Sequence, residues 1–290
     1  MSLQPVSIGT AGHCLADGSF SSRIGRAAVG ALYRELVAYP KPGLVSLVDS
    51  GSHTDMDAQT FMRSLFALRH YFCAITAVGL SAPPFSLLQA LGRAAEARML
   101  KATQGVNTHR GAIFSLGLLA AAAGLLRTAG RPATGPALSE VIRDHWGQAI
   151  LDSGNTASPS HGSLVAHRYG VGGARIEAAS GFPHLFQIGL PALQQALART
   201  GDLEAASVHC FFSLMAVVPD TNLLYRAGEG GLTFAHAAAQ YFLDKGGVEQ
   251  VGWQRQALSI HQAFVSRRLS PGGSADLLTA TLFVHRVIDL

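Results

Sequence analysis

The sequence predicts an all-α fold, and three observations predict it. Helix-length apolar patterns follow one another along the chain, separated by Gly and Pro. Alternating apolar–polar runs of the kind strands need are almost absent. Near the middle, Gly111 to Leu126 is almost wholly apolar; it is short for a bilayer span and reads as a buried helix. The 290 residues are 48% hydrophobic and only 14% charged, with a mean hydropathy of +0.25. A large core is therefore easy to build, and disorder is not expected. No stretch has the composition of a linker, so residues 1–290 read as a single all-α domain, with about 1–20 irregular because they are rich in Gly and Ser.

Each element follows from local signals. A helix starts near Ser21 or Ser22 and runs to Val37, where Tyr39-Pro-Lys-Pro-Gly43 forbids continuation. A short strand is expected over Leu44–Val48, then a polar loop. Asp57 caps a helix through Phe61, Leu65, Leu68 and Phe72. Pro83 and Pro84 reset the chain before a helix over Phe85–Ala102. Asn107 or Thr108 serves as N-cap for the apolar helix. Further helices are expected at Ala137–Leu151, Leu190–Ala198, Leu203–Val217, Thr233–Leu243, Val248–Val265 and Ser274–Val287. Asp152–Pro159 reads as a mobile polar loop, and His161–Ala179 as helical pieces broken by glycines.

Composition excludes several functions. The formal net charge is +4 and the isoelectric point about 9.2, but the basic residues are scattered, which argues against nucleic-acid binding. A mild positive excess suits a polyanionic small molecule. Cys14, Cys73 and Cys210 lie far apart with no CxxC pair, which fits a reducing, cytoplasmic setting rather than a disulfide framework or zinc ribbon. No signal peptide or membrane span is expected. The apolar fraction is compatible with a homodimer and equally with a large monomeric core.

The chemistry is concentrated in four polar islands: Asp49–Asp57, Thr103–Arg110, Asp220–Arg226 and Ser270–Asp276. In a chain so poor in charge, such residues at helix junctions converge naturally on one cleft. Asp49, Asp55, Glu177 and Asp220 are hard oxygen ligands of the kind that suit Mg²⁺. Lys41, Arg110 and Arg226 are the cations to neutralise phosphates. Thr103, Asn107 and Thr108 stand at the start of the apolar helix, whose free N–H groups form one anion site. Ser270-Pro-Gly272-Gly273-Ser274, just before the last helix, forms another, without the ending of a Walker A loop. His53 and His109 are candidate acid–base groups. The plainer reading is that each Asp is a cap and each His a structural hydrogen-bonder.

The islands resemble the triphosphoribosyl-dephospho-CoA synthase family. The resemblance rests on Pro40-Lys-Pro-Gly-Leu-Val45, Gly51-Ser-His-Thr-Asp-Met56, Thr103-x-Gly-Val-Asn-Thr-His-Arg-Gly-Ala-Ile-Phe114, Asp220-Thr-Asn222 with Arg226, and Ser270-Pro-Gly-Gly-Ser-Ala-Asp-Leu-Leu278. Gly51–Phe72 looks most like the branch that serves malonate decarboxylase, with citrate lyase second. The resemblance implies an all-α enzyme that joins ATP to 3′-dephospho-CoA and releases adenine. Its product would be passed by a separate transferase to an acyl-carrier subunit. It implies Asp49, Asp55 and Asp220 as carboxylates for metal or sugar cation, His53 and His109 as acid–base groups, and Glu177 as a further ligand. Lys41, Arg110 and Arg226 would hold the triphosphate, with Asn222 nearby. Two rivals remain at this point: an all-α Mg²⁺-dependent hydrolase of nucleotides or ADP-ribose conjugates, and a non-enzymatic helical scaffold.

Overall fold

The computed structural model describes residues 10–153, 165 and 167–288, and among these every regular element is helical. The order is α1 (Thr10–Val37), α2 (Ala58–Gly79), α3 (Phe85–Ala102), α4 (Arg110–Thr128), α5 (Gly135–Val141), α6 (Gly147–Asp152), α7 (Gly173–Ala179), α8 (Leu190–Thr200), α9 (Leu203–Met215), α10 (Thr221–Asp244), α11 (Trp253–Ser266) and α12 (Gly272–Val287). Short π turns at Ile142–Trp146 and Leu185–Gly189 splice α5 to α6 and lead into α8. The polar loop expected at Asp152–Pro159 lies, from residue 154 on, outside the described residues.

The Ala- and Leu-rich α4 is the central post. Among the described residues it is the one helix long and apolar enough to cross a membrane, and 72% of its apolar window is buried inside the fold. α2 packs against it, with α1, α3, α5 and α12 around them. Small residues make this possible. A Cβ on Gly79 would meet the carbonyl of Ala121, and one on Gly124 the carbonyl of Thr76. The two helices therefore touch backbone to backbone at that crossing. Tyr71, buried in α2, donates its hydroxyl to Ile113 O at 3.1 Å, so its one polar atom is satisfied inside the core.

Several expectations are corrected. α1 begins at Thr10, well before Ser21: Gly costs a helix only about 1 kcal/mol, and no proline interrupts until Pro40. Leu44–Val48 is not a strand. Ser46 Oγ accepts from Val48 N and Asp49 N, which folds the segment into a turn, and no partner strand exists among the described residues. His109, not Asn107 or Thr108, is the residue before α4, although Asn107 Oδ1 accepts from Arg110 N at 3.2 Å. α10 starts at Thr221 rather than Thr233, kinked at Gly228, whose φ of 63° and ψ of −160° a side chain would resist. The helix expected from Val248 begins at Trp253, after a 3₁₀ turn and Gly252 in the left-handed region. Asp57 caps α2 as expected, accepting from Thr60 N at 2.8 Å.

One junction organises the end of the fold that matters for function. Asp220 is 1% exposed and accepts at Oδ1 from Asn222 N (2.9 Å) and Leu223 N (3.4 Å), capping α10. Its Oδ2 accepts from Ser274 N (2.8 Å) and Ser274 Oγ (3.2 Å), capping α12 as well. One carboxylate thus ties two helix starts together. Gly273 leaves room for it, since a Cβ there would stand 3.1 Å from Oδ2, and a Cβ on Gly272 would stand 2.7 Å from Asn222 Nδ2. Asp220→Asn keeps one acceptor oxygen and turns an amide N–H₂ on donors, so it should lower stability by about 1.5–3 kcal/mol. An unchanged urea midpoint in that variant would contradict the double cap.

Candidate active site

A cleft of about 1530 Å³ opens between α2, α3, α4, α7 and the starts of α10 and α12. The structure brings nine of the residues singled out in the sequence to its walls: His53, Asn107, Thr108, His109, Arg110, Asn222, Arg226, Ser270 and Gly272. These come from all four islands, so the convergence expected of helix junctions is real.

The cations form the rim. Arg226 reaches from α10 to Arg268 O (3.2 Å), Ser52 O (3.5 Å) and His53 Nδ1 (3.4 Å), which fixes its plane. Arg110 pairs with Glu96 through Nε at 2.6 Å and through Nη2. Arg93 of α3 and Arg175 of α7 also line the cleft. His53 bonds Ser270 Oγ at 2.8 Å through Nε2 and leans on Asp55 at 3.5 Å. Burial, with the Arg226 charge beside it, pushes its pKa below the ordinary histidine value against the pull of Asp55.

His109 is 4% exposed. Its Nδ1 pairs with Ser64 Oγ at 2.6 Å, and the ring of Phe61 stands edge-on at 4.9 Å. Its Nε2 is buried with no partner. Burial takes its pKa down to about 3, so the ring is neutral at physiological pH.

The remaining candidates sit outside the cleft walls. Lys41 is 0% exposed; its ammonium bonds Glu35 O (2.5 Å) and Ala38 O (2.9 Å) at the end of α1 and pairs with Glu35 Oε1 at 3.3 Å. All its protons are thus engaged by the protein, because the chain beyond α1 folds it back under that helix. Thr103 donates to Met99 O at 2.9 Å and to Val106 O at 2.5 Å, closing the turn after α3. Asp49 accepts from Tyr39 (3.1 Å) and Gly51 N (2.8 Å) and pairs with His261 Nε2 at 3.2 Å. Glu177 binds His184 through its backbone N (2.8 Å) and Nδ1 (2.7 Å).

The carboxylates Asp49, Asp55, Glu177 and Asp220, expected to share a metal, are therefore not gathered around one point. Among the described residues no group of three or more His, Cys, Asp or Glu is placed to hold a metal. Asp55 has the most exposed side chain of the set, at 60%, against 37% for Asp49. The expected anion cradle at Ser270–Ser274 exists, but its anion is the protein's own: Ser274 N and Gly273 N are directed at Asp220.

Sequence reasoning gave no role to the acids of the cleft; besides Glu96, which pairs with Arg110, there are two. Glu35 of α1 and Asp276 of α12 both line it. Asp276 accepts from Ala112 N at the start of α4, and its carboxylate occupies the space a Cβ on Gly111 would need. Burial, then the charges of Asp220 and Glu35, push its pKa well above the ordinary carboxylate value, and the Ala112 N–H only partly offsets them. The signal was there in the Asp three residues into an apolar helix, opposite a glycine that opens another. Glu35 had none, since a Glu in a long helix is usually solvated.

Residues 21–290 match the family described as ATP:dephospho-CoA triphosphoribosyl transferase. A 2-(5''-triphosphoribosyl)-3'-dephosphocoenzyme-A synthase of Pectobacterium atrosepticum is 41% identical over 264 residues, 88% of this chain and 86% of that one. Proteins with the same name preceded by "probable" are 38% identical over 257 residues in Acinetobacter calcoaceticus, covering 89% and 88%, and 39% over 278 in Stutzerimonas stutzeri, covering 93% of each. No solved structure matches the chain. A match over nearly the whole chain means that this chain belongs to the ATP:dephospho-CoA triphosphoribosyl transferase family.

Proposed function

We propose that the chain joins ATP to 3′-dephospho-CoA, releasing adenine and leaving the triphosphate intact. The observation that carries this reading is one cleft of about 1530 Å³ with arginines from four elements at its rim and acids on its floor. That volume exceeds a usual single-ligand pocket and suits two nucleotides side by side. The arginines are where polyphosphates go. The acids lie where a sugar cation and its leaving group would need them.

In the reaction the ribose 2′-hydroxyl of dephospho-CoA attacks C1″ of ATP as adenine departs. The transition state resembles an oxocarbenium ion, as in glycoside hydrolysis. Arg226, held in plane by two carbonyls, presents its outer edge to phosphate. Arg110, held by Glu96, does the same from the start of α4. Lys41 contributes indirectly, by holding Glu35 at the floor.

Mg²⁺ fits this site as a companion of the triphosphate and not as a resident of a protein cage. Asp55, exposed beside His53, would supply one oxygen, with phosphate and water supplying the rest. Bound there, the ion would neutralise triphosphate charge. The same proposal covers a cytoplasmic setting, a homodimer, and delivery of the product through a transferase to an acyl-carrier subunit. The malonate decarboxylase carrier is the first choice and that of citrate lyase the second. Incubation with ATP, Mg²⁺ and dephospho-CoA, followed by mass spectrometry, tests the reaction: adenine and the triphosphoribosyl adduct support it, and phosphate or pyrophosphate release instead refutes it. Offering the product and its transferase each carrier in turn separates the branches.

Two predictions follow from the charge layout. Arg226→Ala and Arg110→Ala should each weaken ATP binding by about 1.5–3 kcal/mol, roughly tenfold to a hundredfold, and dephospho-CoA binding by much less. Titration calorimetry showing equal losses for both nucleotides would contradict this.

The second concerns the acceptor. CoA carries a phosphate at the 3′ position, beside the attacking hydroxyl. That adds bulk and nearly two negative charges next to a triphosphate and in the cleft that Glu35 lines. CoA should therefore react much more slowly than dephospho-CoA when adenine release is compared at equal concentrations. Comparable rates would reject the charge argument.

A further inference from the structure

We infer that Asp276 is the proton donor to the departing adenine, and that His109 receives the purine beside it; this rests on the reaction proposed above. Asp276 is on the cleft wall in the second turn of α12, where the absence of a side chain on Gly111 lets it lie against the start of α4. Glu35 from α1 and Asp220 from the loop before α10 both act on it electrostatically, Lys41 engages Glu35, and Ala112 N–H donates to it from α4. The independent observation is His109, on the wall of the same cleft. It is 4% exposed, with one ring nitrogen on Ser64 and the other buried and unpartnered.

A buried ring nitrogen without a partner is costly, and a small turn of the imidazole toward the cleft presents it to an aromatic heterocycle with donors and acceptors on its edge. Phe61 beside the ring extends an apolar wall for such a base. A neutral imidazole held near a pKa of 3 can hydrogen-bond adenine but does not supply a proton at neutral pH. A purine leaves poorly without one, so the proton comes from elsewhere in the cleft. Burial, then the negative charges of Asp220 and Glu35, favour the acid form of Asp276.

The step balances within the two substrates and solvent. The C1″–N9 bond breaks with its electron pair going to adenine, and the Asp276 proton passes to a purine ring nitrogen. The C1″–O2′ bond forms, the 2′-hydroxyl proton leaves to solvent, and one solvent proton restores Asp276.

The test compares ATP with N7-methyl-ATP, whose purine leaves without needing a proton, using dephospho-CoA as acceptor and purine release as readout. Asp276→Asn keeps an acceptor for Ala112 N–H. It should lose at least about 100-fold with ATP while staying within about threefold of wild type with N7-methyl-ATP. Gly111→Ala, which displaces the carboxylate with its new Cβ, should show the same selective loss. In the wild type, the rate with ATP should fall as pH rises through the Asp276 titration, and the N7-methyl-ATP rate should lack that limb. Equal losses on both donors, no loss on ATP, or the same alkaline limb for both would overturn the assignment. Failure of the wild type to release adenine from ATP would instead count against the reaction itself.

Discussion

The cleft depends on one buried carboxylate whose hydrogen bonds all come from the protein's own helix starts. Asp220 holds the first turns of α10 and α12 side by side by accepting hydrogen bonds from both. Everything useful nearby is counted from that junction. Asn222 and Arg226 project from the first turns of α10, Gly272 lets Asn222 stand where it does, and Asp276 follows Ser274 by two residues on α12. Helix starts attract anions because their N–H groups are unpaired and the dipole is positive there. Here the protein fills three such positions with two of its own acids, Asp220 at α10 and α12 and Asp276 at α4. The cations left facing the cleft are the arginines.

That division has an electrostatic logic. A rim of guanidinium groups and a floor of acids produce a field that runs along the cleft. A donor nucleotide has its negative charge at one end and develops positive charge at the sugar in the transition state. Such a molecule is complementary to that field in one direction only. Held acids close together raise one another's pKa, and Asp276 carries that effect because both Asp220 and Glu35 bear on it. Lys41 keeps Glu35 from being simply a third repelling charge, and the same ammonium ties the end of α1 to the cleft floor. The long first helix is thereby coupled to the site by one buried ion pair.

What the sequence made legible was whatever local rules govern. Gly and Pro punctuation marked most helix ends, Asp57 announced its cap, and the apolar run around Leu118 announced the central helix. Four islands of polarity in an apolar chain announced a site, and the fold collects residues from each. The losses were where distance in the chain decides. Nothing near Asp49 reveals that His261 will meet it, and nothing near Lys41 reveals that α1 will surround it. The Ser270–Ser274 turn was read as a cradle for a ligand's anion, but Ser274 N–H donates to a carboxylate 54 residues away in the same chain. Leu44–Val48 had strand-forming residues and became a turn, because Ser46 offered the backbone a nearer partner than any strand could.

Asp276 and Glu35 show why acids in helices are hard to assign from sequence. Both occupy positions where a solvated carboxylate would be unremarked. Asp276 becomes chemically distinctive only through a glycine 165 positions earlier, whose missing side chain is the space it fills. His109 precedes that glycine by two residues, so one short segment, His109-Arg-Gly-Ala112, supplies a neutral ring, a cation on the cleft wall, the room for an acid and the N–H that orients it. The α4 helix that these residues open is packed backbone to backbone against α2. A tightly packed helix gives its first turn little freedom to shift, which is the preorganisation that catalysis by fixed charges requires.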